Sequence, residues 1–416
     1  MSGGSKRLAS LDGLRGVAAL VVVVFHLVVS TPRAGAVWAL QNTTPVSTTE
    51  FVLHYTPLRL LWAGSESVVV FYVLSGFVLT LPFVKGRGVP WRLFYPRRLV
   101  RLYLPAIASL VFAWGTARLV HRSLITSGSP WLNDHASRPT GLTQVLFGSS
   151  LMAGWGSLNT SLWSLRWEVA FSMLLPAFLF LAARPPWPAL AVRSALPALA
   201  ARSALPALAK AAAVVTACFL IPFCGFFYPD VVYIAVFPLG VLMATHADRL
   251  QRIGERLRPV AWWLLLTVAV LLLVNSWLVA GIDPQSRLRW AWISIASVGA
   301  ALLVFAAAYW PAARAVLGSR PVRWLGGISF SLYLVQEPIV VGLAFATRGQ
   351  LPLWLMLISG VPLSVLAGWV FHLMVERPSH RLARRIGASG GGDAAPAPQK
   401  ATTVARASCR CRPGRV

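Results

Sequence analysis

LDGLRGVAALVVVVFHL, residues 11–27, carries an arginine and a histidine in what would otherwise be an ordinary membrane helix. Arg15 and His26 are eleven residues apart, and at about 100° per residue eleven steps return to nearly the same helix face, about three turns along the axis. Ionisable groups are costly inside a membrane and usually serve a function there. We therefore predict that this pair is the working centre. Arg15 alone also fits a residue that reaches back to the membrane surface, and His26 alone fits a bond to a neighbouring helix.

The composition excludes an ordinary soluble domain. The chain has 416 residues, of which 57% are hydrophobic and 12% charged, and its mean hydropathy is +0.67. We predict an all-α, polytopic membrane bundle. It would have about ten transmembrane helices, at residues 14–29, 68–84, 99–120, 162–183, 211–227, 231–244, 260–280, 288–309, 328–346 and 351–375.

The net charge of +26 indicates membrane orientation and not nucleic-acid binding, because most basic residues fall in alternate loops. This pattern predicts a multi-pass protein of the cell membrane with both termini in the cytoplasm. The first span would act as an uncleaved anchor. Residues 1–386 form the predicted transmembrane domain, and 387–416 a disordered basic cytoplasmic tail. The four cysteines suggest neither a disulfide nor a metal site.

Two short strings, one at the predicted cytoplasmic surface and one within the second span, could contact a ligand. Arg98 and Arg101 share a helix face with Arg97 beside them, which suits an anionic cytosolic ligand such as a nucleotide or coenzyme A. Orientation and lipid headgroups explain the same arginines equally well. Ser75 and Gly76, both small, permit close approach of another helix or of a ligand, with packing favoured.

Two later spans carry polar groups. Glu168 is expected to be desolvated or paired with a cation, and in either state it could orient or charge the His26 ring. It could also be balanced by an Arg or His for helix association alone. In SFSLYLVQEP, residues 329–338, Tyr333 and Gln336 are among several polar side chains that could line a cavity for an acyl acceptor. Glu376, in VERP, is interpreted as an interfacial anchor. Aromatic side chains of the loops 30–67 and 121–161 suit sugar rings or the lipid interface.

Taken together, these strings resemble the bacterial acyltransferase family 3, polytopic O-acyltransferases that modify surface polysaccharides, lipid-linked sugars and macrolides. The resemblance covers residues 8–386. It rests on six strings in the family's order: LDGLRG with the following histidine (11–26), FYVLSGF (71–77), RRLVR (97–101), WSLRWE (163–168), SFSLYL (329–334) and VERP (375–378).

The resemblance implies that His26 is catalytic, that Arg15, Arg98 and Arg101 are needed for activity, and that acyl-coenzyme A is the donor. Gln336 stands where the family often has a histidine, Val169 where it often has a second carboxylate, and Arg166 where it has a small or neutral residue. We expect no hydrolase-like domain of the kind that some relatives carry.

Our hypothesis is O-acyl transfer, with acetyl-coenzyme A the expected donor and no permanently bound cofactor. Arg97, Arg98, Arg101 and Ser75 would hold the acyl donor, and His26 would be the general base, assisted by Glu168 and Arg15. Trp163, Tyr333 and Gln336 would contact the acceptor, a carbohydrate, a lipid-linked glycan or a macrolide. Acylation of His26 itself is a second version. A transporter or exporter of a glycan or lipid-linked metabolite is the rival of another class, and a catalytically inactive sensor a third. Oligomeric state, acyl chain length and the side of final transfer stay open.

Overall fold

A computed structural model describes residues 2–39, 45–151, 158–183, 210, 212–214, 216–217, 232–283 and 292–387. Within these ranges the regular structure is entirely helical. The predicted tail, apart from residue 387, and most of the predicted span at 211–227 lie outside the described residues.

Short helices alternate with long apolar ones along the chain. The α-helices are α1 (Ser2–Val29), α2 (Pro32–Trp38), α3 (Thr48–Tyr55), α4 (Gly64–Val84), α5 (Trp91–Leu119), α6 (Pro130–Ser137), α7 (Thr143–Ser149), α8 (Leu165–Ala183), α9 (Val232–Thr245), α10 (Ala247–Arg256), α11 (Pro259–Leu273), α12 (Asn275–Ile282), α13 (Trp292–Tyr309), α14 (Pro311–Leu317), α15 (Arg320–Ala346), α16 (Leu353–Phe371) and α17 (Arg377–Arg385). Two 3₁₀ turns, Pro57–Trp62 and Thr160–Ser164, precede α4 and α8, and a π-helical turn, His372–Glu376, joins α16 to α17.

Among the residues that the structure describes, seven helices are long and apolar enough to cross a membrane, or eight if α11 and α12, bent by 65°, are one broken span. These eight coincide with eight of the ten predicted spans. The span predicted at 231–244 corresponds to α9, which contains a shorter apolar stretch, Ala235–Thr245. The all-helical membrane architecture is therefore confirmed, while the count of ten and the cytoplasmic termini stay predictions.

α1 lies at the centre of the bundle because its glycines admit a neighbouring backbone. A Cβ atom on Gly16 would lie 2.5 Å from the backbone nitrogen of Gly326 in α15, and one on Gly326 would lie 2.1 Å from the carbonyl oxygen of Asp12. Any side chain there would force the two helices apart. The glycines of LDGLRG thus position α1 against α15, which carries Tyr333, Gln336 and Glu337.

The two ends of the bundle differ in chemistry. We call the end at which α1 begins the basic face, because Arg15, Arg98 and Arg101 lie there. We call the end at which α1 finishes the opposite face; α2, α3 and α6 lie beside it, and Ser129, the N-cap of α6, donates to the carbonyl of Val29 at 2.5 Å. The site spans the interval between these two ends.

Candidate functional site

A cavity of about 530 Å³ opens at the basic face. Its mouth is polar, and its inner end is formed by aromatic and hydroxyl side chains. The residues used below are Asp12, Arg15, Ser75, Arg98, Arg101, Glu168, Glu376 and His380 toward the mouth and Phe71, Tyr72, Ser164 and Tyr333 farther in. Both charged and apolar parts of one elongated ligand could be accommodated along such a wall.

Three of the four predicted donor-binding residues line this cavity: Ser75, Arg98 and Arg101. Arg97 does not. Its guanidinium donates from Nε and Nη2 to the carbonyl of Ile386, at 3.1 and 2.9 Å, just beyond α17. Helical spacing does not separate the arginines, because Arg101 follows Arg97 by four residues and Arg98 by three, and both spacings place side chains on one face. The contact of Arg97 with an acyl donor stays a prediction, and the structure places this residue outside the cavity.

Glu168 is the partner of Arg98. The Arg98 guanidinium donates to the Glu168 carboxylate and, through Nε, to Ser172 Oγ at 3.1 Å. A cation partner is one of the possibilities that the sequence leaves open for Glu168, and its action on His26 stays a prediction. Glu168 lies in the first turn of α8 and lines the cavity.

Arg15 also lines the cavity and forms a long ion pair, 3.9 Å, with Asp12 one turn earlier. Its companion on the helix stripe, His26, is not among the cavity-lining residues. His26 lies near the opposite face, 8% exposed, and its ring contacts Phe25 and Trp131 with centroid separations of 5.0 and 5.4 Å. Arg15 and His26 therefore lie on one face of α1 but at opposite ends of the bundle, and they do not share a pocket.

Hydrogen bonding fixes the chemistry of the His26 ring. Nδ1 lies 3.0 Å from the carbonyl oxygen of Val22, which can only accept, so Nδ1 carries the proton. In the neutral ring Nε2 is then the atom with a free lone pair. Gln336 and Glu337 are the polar side chains of α15 that interact with this imidazole.

Glu337 is completely buried and receives five hydrogen bonds. His135 Nε2 donates at 3.0 Å, the backbone nitrogen and hydroxyl of Thr160 both at 2.7 Å, and those of Ser161 both at 2.5 Å. His135 Nδ1 donates in turn to the carbonyl of Trp131 at 2.8 Å. This many donors can stabilise a buried carboxylate.

A chain of hydrogen bonds joins the inner end of the cavity to these groups. The Tyr333 hydroxyl, which contacts Ser164 Oγ at 2.7 Å, donates to the carbonyl of Ser161 at 3.0 Å. Gln336 Nε2 donates to Ser161 Oγ at 3.0 Å, while Gln336 Oε1 is buried without a partner. Two predicted acceptor residues, Tyr333 and Gln336, are thus brought into one network.

Trp163, the third predicted acceptor residue, is placed elsewhere. Its ring packs on Tyr233 with a centroid separation of 4.9 Å, in the hydrophobic cluster around α4 and α9. Trp163 does not line the cavity. Its position in the WSL string reflects packing, because the 3₁₀ turn directs its neighbours Ser161 and Ser164 into the network and Trp163 away from it.

Sequence reasoning missed a second polar cluster at the cavity mouth. Glu376 is 5% exposed and accepts from Ser331 Oγ at 2.5 Å and from His372 Nδ1 at 2.9 Å, and His380 Nε2 lies 3.8 Å from it. The interpretation of Glu376 as an interfacial anchor stays a prediction, and its contacts place it within this cluster. The π-helical turn His372–Glu376 brings these groups together, and such turns often occur at functional sites.

Within the described part of the chain, no group of three or more His, Cys, Asp or Glu side chains could hold a metal ion. In comparisons with known proteins, a family model described as an acyltransferase domain matches residues 8–373, nearly the whole chain. Neither a curated protein nor a solved structure gives a significant match.

Proposed function

Because this chain belongs to that acyltransferase family, we propose that it is an integral-membrane O-acyltransferase of the cell membrane. It would move an acyl group, expected to be acetyl, from acyl-coenzyme A to a hydroxyl of a sugar, an envelope glycan or a macrolide. The observation that carries the proposal is the hydrogen-bonded chain that leads from the basic cavity, through Tyr333 and Ser161, to Gln336 beside His26.

The cavity suits an acyl-coenzyme A. Arg15 and Arg101 at its mouth offer guanidinium groups that match phosphate oxygens, and Arg98 lies farther along the same wall. The basic face would then be cytoplasmic, where acyl-coenzyme A is made. The pantetheine arm would run past Ser75 toward the inner end, where Phe71 and Tyr333 are in edge-to-face contact at 5.8 Å.

His26 would be the general base. Its Nδ1 proton is bound by the carbonyl of Val22, so Nε2 of the neutral ring is left as the proton acceptor. In the transfer step the acceptor hydroxyl gives its proton to Nε2, and its oxygen forms a bond to the thioester carbonyl carbon. The carbon–sulfur bond then breaks, and the imidazolium returns the proton to the departing thiolate.

Glu337 would act through position and charge. It is held by His135, Thr160 and Ser161 and acts electrostatically on His26. A fixed negative charge stabilises the imidazolium that forms when His26 accepts a proton. Glu337 would thus stabilise the charged His26 ring, a role that the sequence analysis gave to Glu168.

The test is release of free thiol from acetyl-coenzyme A by the full chain in lipid nanodiscs, with a panel of methyl glycosides and erythromycin as acceptors. We expect His26→Ala to lower turnover by about 10²- to 10⁴-fold, the usual contribution of a positioned general base. His121→Ala is the matched control, since His121 is exposed.

Normal turnover by a folded His26→Ala variant would contradict the proposal. Acylated His26, trapped with acetyl-coenzyme A alone, would favour a covalent intermediate over direct transfer. Movement of a glycan or lipid-linked metabolite across the membrane without thiol release would favour the transporter.

A further inference from the structure

Beside His26, at the opposite face, lies a buried polar cluster that the proposed mechanism does not use. It consists of His54 in α3, Arg59 and Trp62 in the 3₁₀ turn, Glu66 in the first turn of α4, and Trp277 in α12. Arg59 is 1% exposed, Glu66 2% and His54 6%. Three ionisable side chains buried together need either mutual pairing or a ligand.

Arg59 is held flat between two indole rings. Its guanidinium carbon lies 3.3 Å from the ring centroid of Trp62 and 3.9 Å from that of Trp277. With both faces covered, the guanidinium can form hydrogen bonds only from its edge. Nε and Nη1 on that edge are buried and have no hydrogen-bond partner. The stacking therefore fixes the direction of two unused hydrogen-bond donors.

Glu66 presents an unused acceptor. Its Oε1 receives a hydrogen bond from Trp277 Nε1 at 3.0 Å, while Oε2 is buried without a partner. Arg59 and Glu66 attract each other electrostatically but do not form an ion pair within 4 Å. Two opposite charges are thus held close with their free hydrogen-bonding atoms unpaired.

His54 adds a second unused acceptor. Its Nδ1 donates to the carbonyl of Glu50 at 2.9 Å, so Nε2 of the neutral ring bears the lone pair, and Nε2 is buried without a partner. Burial lowers the pKa of His54, which keeps the ring neutral at neutral pH. The ring is held edge-on against Trp62, with a centroid separation of 4.8 Å.

The free atoms of the cluster define the chemistry of what it can bind. The nearby Arg59 guanidinium favours the ionised form of Glu66. With Glu66 ionised the two charges balance, so the cluster favours an uncharged ligand. Arg59 can only donate, whereas Glu66 and neutral His54 can only accept at their free atoms, so the ligand must both accept and donate. A hydroxyl group does both from one atom. The cluster therefore matches a neutral molecule that bears several hydroxyl groups.

The position of the cluster relates it to His26. Trp62 packs in the same hydrophobic cluster as Phe25 and Trp131, whose rings contact His26. A Cβ atom on Gly64, between Trp62 and Glu66, would lie 2.4 Å from the Phe25 ring. Trp277 reaches Arg59 from α12, the second half of the broken span, and broken spans recur at binding sites within membranes.

We infer that His54, Arg59 and Glu66 bind hydroxyl groups of the acyl acceptor, a neutral polyhydroxyl molecule of the sugar or macrolide kind, while another of its hydroxyls meets His26. This inference rests on the proposed O-acyl transfer. The cluster fixes the orientation of the acceptor, and thereby selects which hydroxyl is acylated.

Saturation-transfer NMR on the full chain in nanodiscs tests this without requiring turnover. The probes are the methyl glycosides of glucose, galactose, rhamnose and N-acetylglucosamine, with erythromycin as the macrolide. We expect the wild type to transfer saturation to at least one probe. Glu66→Gln and Arg59→Lys should each weaken its apparent affinity by roughly tenfold or more, as expected for losing a hydrogen bond to a charged group. Transfer to glycosides alone or to erythromycin alone identifies the kind of acceptor.

Two further variants are included, one as a substitute for a charge variant that fails to fold and one as a control outside the cluster. Trp277→Phe preserves the ring over Arg59 but removes the bond to Glu66, so it serves if either charge variant fails to fold by size-exclusion chromatography. Glu255→Gln alters an exposed carboxylate bonded to Gln251 and should change nothing. The inference is overturned if no probe binds the wild type, or if binding survives all folded cluster variants.

Binding of acetyl-coenzyme A, measured on the same samples, separates this inference from the proposed function. If acetyl-coenzyme A binds but the cluster variants leave probe binding unchanged, the acceptor site is wrong and the acyl donor cavity stands. If acetyl-coenzyme A does not bind the wild type, O-acyl transfer fails, and the probe measurements still decide whether the cluster binds hydroxyl compounds.

Discussion

His135 Nε2 donates to Glu337 Oε1 at 3.0 Å, and this bond joins a short helix outside the spans to a fully buried carboxylate within α15. Since His135 Nδ1 also donates to a carbonyl, the ring bonds acceptors on both sides. Both bonds form together when the ring carries two protons, or when Glu337 supplies the proton between them. The α6 helix thus closes over the polar network beside His26.

Removing the charge of Glu337 should impair both stability and turnover. Glu337→Gln keeps the size of the side chain but places an amide among donors from His135, Thr160 and Ser161. Leaving buried donors unpaired costs about 1–3 kcal/mol per group, so we expect a lower thermal midpoint. The kcat should fall by a larger factor than the change in the KM for acetyl-coenzyme A. Unaltered kcat in a folded Glu337→Gln variant would show that this carboxylate does not assist His26.

The Arg98–Glu168 pair should behave as a coupled unit. Arg98→Met leaves Glu168, whose side chain is 14% exposed, without its cation, and breaking a buried pair in this way typically costs about 3–5 kcal/mol. The double variant Arg98→Met, Glu168→Leu removes both charges and should unfold at a higher temperature than Arg98→Met alone. A double variant less stable than either single one would argue against direct pairing.

Substitutions of Arg97 and Arg101, both in RRLVR, should have different effects on binding of the acyl donor. Arg101→Ala should raise the KM for acetyl-coenzyme A by about tenfold, and this effect should shrink at high salt, because Arg101 lines the cavity mouth. Arg97→Ala should leave that KM unchanged, since Arg97 binds the Ile386 carbonyl instead. The reverse ranking in steady-state kinetics would move the acyl donor site away from the cavity.

Gly326 and Gly327 offer a matched pair of variants that tests the close packing of α1 against α15. A Cβ atom at Gly326 would lie 2.1 Å from the Asp12 carbonyl, whereas one at Gly327 meets nothing within 4 Å. We expect Gly326→Ala to destabilise the protein by about 1–3 kcal/mol, the usual cost of overpacking, and Gly327→Ala to have little effect on the thermal midpoint. Equal midpoints for the two variants would mean that α1 and α15 are not packed this closely.

Protonation of His54 should destabilise the fold. Burial lowers the pKa of His54 below its ordinary value of 6.5, so the unfolded chain binds a proton more readily than the folded one. Stability is therefore greatest above pH 6.5 and falls as the pH is lowered through that value toward the folded-state pKa. His54→Gln should flatten this part of a pH–stability profile, and His121→Gln, at an exposed position, should not. An unchanged profile in His54→Gln would assign the pH dependence elsewhere.

Periodicity along one helix was sufficient to predict some of these relationships. The common face of Arg98 and Arg101, and the polar run of α15 with Tyr333 and Gln336, follow from the helical repeat alone. The repeat also relates Arg15 to His26, but it cannot tell which other elements cover each of them. The structure places Arg15 on the cavity and His26 beside α6.

Contacts between distant segments could not be predicted in this way. Glu337 is separated from its partner His135 by 202 positions, and nothing local to either residue specifies the other. The cation that pairs with Glu168 could not be chosen from the sequence either, because Arg98 lies 70 positions earlier in the chain. The π-helical turn that buries Glu376 is likewise set by packing against α15 and not by residue type alone.

The contact of α1 with α15 has a consequence for biosynthesis. The first span leaves the ribosome early, yet the backbone against which Gly16 fits lies near residue 326, and Ser10 bonds the carbonyl of Ala307, 297 positions later. During translation α1 is therefore in the bilayer before α15 has been made, and Arg15 and His26 at first lack their final neighbours. Under the proposed mechanism, His26 becomes competent only once nearly the whole polypeptide has been inserted, so prematurely terminated chains should be inert.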